Sequence, residues 1–250
     1  MSRKNIAVFV PMHDERETIG PTLERVIAAA GDRLGLLVVA DDASADGSGR
    51  IAALHTDHVV RLPRNGGNGA ATRAALRHIA AHDDGIAHVI RIDGDGQHDP
   101  SLLPDVIARL DGGADVVVCS RFHALSDVSH VPPDRRLLNA SAALWMREIT
   151  GWPVSDARSG FLGFRWSLLK PVVASLRTER YGIPMELLLR VWRQDPSARY
   201  AEIPHPAMYQ PGISARLDRK YRDETLADKT ARMDEAFKVF IATCRSIGIL

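Results

Sequence analysis

Short apolar runs alternate with helical periods through the first half of the chain. Ile6–Val10, Leu36–Ala40, His58–Leu62, His88–Ile92 and Asp115–Cys119 have the length and β-branched content of strands. Between them, Glu15–Ala30 and the segments at about 46–55, 69–82 and 101–111 carry helical patterns. This alternation predicts an α/β fold with a mostly parallel sheet and helices on both faces. The second half changes character. Asp134–Ile149 predicts a helix that stops at Gly151 and Pro153. Residues 158–166 are expected to be extended, 167–176 and Ile183–Gln194 helical, and Pro196–Pro206 a turn and strand. From Arg216 onward the chain is charged and helical in pattern. The reading is one domain over residues 1–215 and a C-terminal helical extension over 216–250.

Composition narrows the class. The 250 residues are 45% hydrophobic and 25% charged, enough for a sizeable core. The 32 basic and 31 acidic residues nearly cancel, so no global field points to nucleic acid. The 10 histidines form no HExxH pattern, and Cys119 and Cys244 make no CxxC pair, as expected in a reducing compartment. No apolar run approaches the roughly 20 residues of a membrane span. The start of the chain does not read as a signal peptide. The expected location is cytoplasmic.

The polar clusters fall after strands. Pro11-Met12-His13-Asp14-Glu15 follows the first, and Asp41-Asp42-Ala43-Ser44 the second. Arg64-Asn65-Gly66-Gly67-Asn68-Gly69 follows the third, and Asp93-Gly94-Asp95-Gly96-Gln97-His98-Asp99-Pro100 the fourth. In a parallel sheet those strand ends share one edge, where ligands bind. Four clusters distant in sequence therefore converge on one site.

Asp93 and Asp95 carry the chemistry. Residues i and i+2 of an extended segment point the same way, and two adjacent carboxylates repel unless a cation lies between them. Such oxygen ligands suit Mg²⁺ or Mn²⁺ together with substrate phosphates. Gly94 and Gly96 leave room for close approach, and Gln97 and His98 could add a ligand or a supporting hydrogen bond. Asp41 and Asp42 could bind a ribose or a base, or could form a local turn; the residues do not choose between the two aspartates. Asn65–Gly69 resembles a phosphate cradle but lacks the lysine and hydroxyl of a P-loop.

Together these residues resemble family 2 glycosyltransferases of the GT-A fold, in particular the polyprenyl-phosphate sugar synthases. The likeness runs from Ile6 to about Ser214. It rests on Val10–Glu17, the Asp41-Asp42-x-Ser44 strand end, Arg64-Asn65-x-Gly67-x-Gly69 and Asp93-x-Asp95-x-Gln97-His98-Asp99-Pro100. Ser120-Arg121-Phe122 and Asp156-x-x-Ser159-Gly160-Phe161 complete it. The resemblance implies that Pro11, His13 and Glu15 line a nucleotide pocket with Asp41 or Asp42, and that Asn65 and Gly67 lie beside it. It implies that Asp93, Gly94 and Asp95 face the donor, with Asp93, Asp95 and Gln97 holding the metal. Arg121 would lie near the sugar or acceptor phosphate, Ser159 and Gly160 on the acceptor side, and Arg216 and Lys220 would clamp phosphates. His13, Asp14, Gly94, Gln210 and Ala215 depart from the family's usual residues, which leaves the donor and acceptor open.

The reaction expected is inverting transfer of a sugar from a nucleoside-diphosphate donor of GDP-mannose or UDP-glucose type. The acceptor would be a polyprenyl phosphate or the hydroxyl of a small molecule. An anionic phosphate acceptor needs no strong base; a hydroxyl does, and Asp156 and Glu186 are the candidates. The apolar side chains between Met233 and Leu250 are assigned to packing on the domain, with a homodimer contact or a membrane surface as alternatives. A nucleotidyltransferase, methyltransferase or dehydrogenase would need a Gly-rich turn where Pro11–Glu15 stands. A non-catalytic sugar-nucleotide-binding module would not need both Asp93 and Asp95.

Overall fold

The computed structural model describes residues 4–249 apart from His130, Gln210 and Pro211, and leaves the side chains of Ala215, Arg216, Lys220, Tyr221 and Arg232 undescribed. Seven strands form one sheet: β1 (Ile6–Met12), β2 (Leu34–Asp41), β3 (Val59–Arg61), β4 (His88–Arg91), β5 (Val116–Ser120), β6 (Leu162–Arg165) and β7 (Tyr200–Pro204). The spatial order is β3-β2-β1-β4-β6-β5-β7. β3, β2, β1 and β4 run parallel, as do β5 and β7. β6 runs antiparallel between β4 and β5. The sequence reading placed an extended segment there without its direction. The chain leaves β5 and re-enters β6 at the same edge of the sheet, so the start of β6 pairs with the end of β5.

Side chains alternate along the central strands between two cores. Ala7, Phe9, Val38 and Ala40 face one side, and Ile6, Val8, Val10 and Val39 the other. Helices α1 (Ile19–Ala30), α2 (Ser48–Ala52) and α4 (Leu103–Asp111) cover the second core. The first is covered by α3 (Asn68–Ala81), α5 (Pro133–Thr150) and α7 (Ile183–Gln194), with the short α6 (Trp166–Leu169) running into a 3-10 turn over Lys170–Ser175. α8 (Ala215–Asp223) and α9 (Leu226–Ser246) complete the chain. α9 places Ala236, Phe240 and Cys244 in the first core. No helix of the described residues is long and apolar enough to cross a membrane.

The first helix starts at Ile19 rather than Glu15, because the intervening residues are bound elsewhere. Asp14 takes a left-handed φ of 53° and its amide donates to Ser44 Oγ at 3.0 Å. The Glu15 amide donates to Ser48 Oγ at 2.8 Å. Tertiary bonds to the β2–α2 loop have replaced the first helical turn.

Candidate active site

The carboxyl ends of β1, β2 and β4 open into a cleft of about 640 Å³. Its floor is built by backbone pairing continued past the strands: the Asp42 amide donates to the Met12 carbonyl at 2.9 Å and the Gly94 amide to the Pro11 carbonyl at 3.2 Å. Pro11, His13, Glu15, Asp42, Asn65, Gly67, Asp93, Gly94, Asp95, Gln97, Arg121 and Gly160 all line it. Residues expected to meet at the site from widely spaced segments are therefore brought together.

The part of the cleft around the glycine loop is internally braced. His13 Nδ1 donates to the Asp42 carbonyl at 2.8 Å, so its Nε2 accepts from Asn65 Nδ2 at 2.9 Å. The Asp42 carboxylate accepts the Gly66 and Gly67 amides, both at 2.7 Å. This ties the glycine loop to the end of β2. Gly67 has φ 88°, and a Cβ there would lie 2.7 Å from the Glu179 carbonyl oxygen. The structure also separates the adjacent aspartates. Asp41 is fully buried outside the cleft lining. Its carboxylate accepts from the Ser44 amide at 2.8 Å and from Arg61 at 3.2 Å, which makes it a brace of the β2–α2 loop.

The acidic loop lies opposite. Asp93 Oδ1 accepts from Arg91 Nη2 at 2.5 Å and Asn68 Nδ2 at 3.4 Å. Asp95 Oδ1 caps the Gln97 amide at 3.0 Å, and Gln97 Nε2 donates to the Met208 carbonyl at 2.6 Å. Two histidines staple this loop from behind. His98 Nδ1 accepts from the Asp93 amide at 3.1 Å and His205 Nε2 from the Asp99 amide at 3.0 Å. Both rings are therefore held neutral as acceptors. Burial, reinforced by neighbouring positive charge, pushes His98 well below its ordinary range and His205 down to about 4. A Cβ on Gly160 would sit 2.0 Å from Asp93 Oδ2, so glycine at this position lets β6 approach the acidic loop.

Among the described residues no three His, Cys, Asp or Glu side chains are placed to hold an ion by themselves. Two cleft-lining carboxylates fit a Mg²⁺ or Mn²⁺ whose other ligands are phosphate oxygens and water.

Four arginines also line the cleft: Arg121, Arg135, Arg158 and Arg180, the last lying against Gly67 of the glycine loop. Arg121 is gripped by Asp156, with Nε to Oδ2 at 2.7 Å and Nη2 to Oδ1 at 3.0 Å, and it donates to Tyr209 Oη at 3.2 Å. Burial and the neighbouring Arg121 and Arg135 lower the Arg158 guanidinium to about 10.

Four expected site residues do not reach the cleft lining: Asp41, Asp156, Ser159 and Glu186. Asp156, expected as a base, is fully buried; both its oxygens are taken by Arg121, and Oδ1 also accepts the Arg158 amide at 3.1 Å. Burial raises its proton affinity, but the charge and bonds of Arg121 overcome this and hold it below the usual carboxylate range. Asp156 positions Arg121. Glu186, the other candidate base, turns away from the cleft. It accepts the Arg177 amide at 2.9 Å, the Thr178 amide at 2.7 Å and Arg190 Nε at 2.7 Å. Burial is again outweighed, here by the Thr178 amide and Arg190, and Glu186 stays below its ordinary value. It braces the segment that presents Arg180 and Tyr181. Ser159 Oγ, expected on the acceptor side, donates to the Cys119 carbonyl at 2.7 Å and joins β5 to β6. The side chains of Arg216 and Lys220 lie outside the described residues.

Sequence reasoning passed over Arg91, Arg135, Arg180 and His205, and took Asn68 only as part of the glycine loop. Arg91 alone carried a readable signal, since a charged residue inside the apolar run His88–Ile92 must find a partner when buried.

A mostly parallel sheet with one antiparallel strand beside an acidic loop, and a ligand cleft at the strand ends, is the architecture of GT-A glycosyltransferases. The chain belongs to glycosyl transferase family 2, whose sequence pattern matches residues 7–172. It is 28% identical over 197 residues to the polyprenol monophosphomannose synthase of Mycolicibacterium smegmatis, covering 74% of this chain and 70% of that protein. It is 24% identical over 222 residues to the dolichol-phosphate mannosyltransferase of Pyrococcus furiosus, covering 88% of this chain and 60% of that protein. Among solved structures, it resembles the Mycobacterium tuberculosis glucosyl-3-phosphoglycerate synthase bound to Mn²⁺, UDP-glucose and phosphoglyceric acid. The TM-score is 0.70 at 19% identity, over 96% of this chain and 80% of that one. At that identity the likeness describes the fold.

Proposed function

We propose that this chain transfers a sugar, with inversion, from a nucleoside-diphosphate sugar to a phosphate-bearing acceptor, foremost a polyprenyl phosphate. The observation that carries the reading is the layout of the cleft. A glycine loop, two carboxylates and four arginines line the same cleft. Pro11, His13, Asp42, Asn65 and Gly67 would hold the nucleoside side. Asp93 and Asp95 would hold Mg²⁺ or Mn²⁺, which supplies Lewis-acid neutralisation of the departing diphosphate. Arg121, set by Asp156, would orient the acceptor's anionic oxygen. The commitment of both candidate bases, Asp156 and Glu186, to other groups supports an acceptor that is already ionised. The names of the two sequence relatives support a lipid phosphate. The second reading, a hydroxyl acceptor, draws on the other carboxylates that line the cleft, among them Glu235.

The test uses purified chain with UDP- and GDP-sugars, with and without polyprenyl phosphate, in Mn²⁺ and in EDTA. Transfer is expected only with the divalent ion, and Asp95→Asn is expected to abolish it while leaving the thermal unfolding transition in place. Undiminished transfer in EDTA, or full activity of Asp95→Asn, overturns the reading. Absence of any donor turnover would identify a binding module instead.

A further inference from the structure

Arg91 is among the most deeply buried large side chains of the protein, 1% exposed, and sits at the end of β4 two residues before Asp93. An arginine inside a sheet loses its hydration, and only strong local partners offset that cost. Its Nη1 donates to the Gly160 carbonyl at 2.7 Å, and its Nη2 donates to Asn68 Oδ1 at 2.6 Å and Asp93 Oδ1 at 2.5 Å. Its Nε finds no partner among the described residues. The side chain thus gives up one hydrogen bond while keeping its charge against Asp93. It lies in the wall of the cleft, fixed by Gly160 just before β6 on one side and by the first residue of α3 on the other.

We propose that Arg91 is the built-in counter-ion of the acidic pair. It keeps Asp93 in place when no cation is bound and disfavours retention of a bare divalent ion, so that the ion enters together with the donor diphosphate. Asp93 and Asp95 alone carry two negative charges that repel each other and attract any divalent cation. Arg91 removes one of these charges from the balance. With Arg91 counted, these three groups together carry one net negative charge in place of two; a cation arriving with a diphosphate brings its own anion, which the same guanidinium attracts. Arg91 therefore acts through Asp93 as a positioning residue, and its charge sets the order of assembly. The inference rests on Asp93 and Asp95 being the metal ligands.

The experiment measures Mn²⁺ binding from the free-ion electron paramagnetic resonance signal, without nucleotide and then with UDP or GDP. It compares the wild type with Arg91→Gln, Arg91→Met and Arg91→Lys, each checked for fold by circular dichroism and thermal unfolding. Arg91→Met replaces the buried charge with an apolar chain and keeps the test open if Arg91→Gln does not fold. Loss of the charge is expected to tighten bare Mn²⁺ binding about tenfold, the size of a unit charge acting on a divalent ion a few ångströms away in a wet site. Arg91→Lys, which retains the charge, is expected to stay within about twofold of wild type. A merely structural role would weaken binding rather than tighten it. Folded charge-loss variants that bind bare Mn²⁺ no tighter than wild type overturn the proposal, as does equal tightening in Arg91→Lys. Wild-type protein that takes up no Mn²⁺ with either nucleotide would instead remove the metal-site reading itself.

Discussion

Adding one methyl group at Gly160, in the wall of the cleft, should disable the site by displacing Asp93. The Cβ of Gly160→Ala would lie 2.0 Å from Asp93 Oδ2 and 2.7 Å from both Arg91 Nη1 and His98 Cε1. Comfortable contact for such atoms is about 3.5 Å, so the Asp93 carboxylate would have to retreat by roughly 1.5 Å. Gly160 does not have a positive φ, so backbone conformation adds nothing and the effect is steric. The neighbours cannot yield cheaply: Arg91 is held by three bonds, and His98 is held by the Asp93 amide. Overpacking of this kind costs about 1–3 kcal/mol, which in a chain of this size lowers Tm by roughly 2–12 °C. With Asp93 in its proposed role as a metal ligand, a shift of about 1 Å or more should cost about 100-fold in kcat/KM. The assay pairs calorimetry with donor turnover across a Mn²⁺ titration. Excess Mn²⁺ should restore little of the lost rate, because the ligand is displaced rather than removed. Wild-type turnover with a Tm within about 1 °C would refute the packing argument.

Three further outcomes follow from the braces around the cleft. His205 ionises at about 4 in the fold against about 6.5 in the unfolded chain. The unfolded chain therefore binds more protons between those values, and stability should fall by about 3 kcal/mol as pH drops from about 6.5 to about 4. Thermal unfolding across that range checks this, and His205→Gln should flatten the slope. Glu186→Gln should lower stability by about 1–3 kcal/mol, because charged hydrogen bonds to Arg177, Thr178 and Arg190 are weakened, yet leave donor hydrolysis within about tenfold of wild type; abolished turnover with unchanged Tm would restore it as a base. Asp156→Asn leaves the charge of Arg121 unpaired and should cost about 3–5 kcal/mol. It should also raise KM for a phosphate acceptor more than KM for the donor, measured by steady-state kinetics.

The alternating strands and helices, the four polar clusters and their meeting at one sheet edge were legible in the sequence because they depend on local pattern. Apolar periodicity reports which face is buried, and a parallel strand places its following turn at a known edge. Twelve expected site residues accordingly line the cleft. The same local logic could not tell Asp41 from Asp42. Adjacent residues on a strand end point to opposite sides, and only the positions of Arg61 and the glycine loop decide which carboxylate is consumed where. Nor could it assign Asp156 and Glu186, whose partners come from Arg121, 35 residues away, and from a neighbouring loop.

The sequence by itself determined the class of fold, the sheet edge at which the polar clusters meet and the two carboxylates that face it, since each follows from spacing along one strand and its turn. Only the tertiary structure decided the direction of β6, the roles of Asp41, Asp156, Ser159 and Glu186 as braces, and the place of Arg91 beneath Asp93. A charged side chain's role is set by which partners surround it once water is excluded, and that set is completed here by groups distant in sequence, such as Arg121 for Asp156 and Arg61 for Asp41.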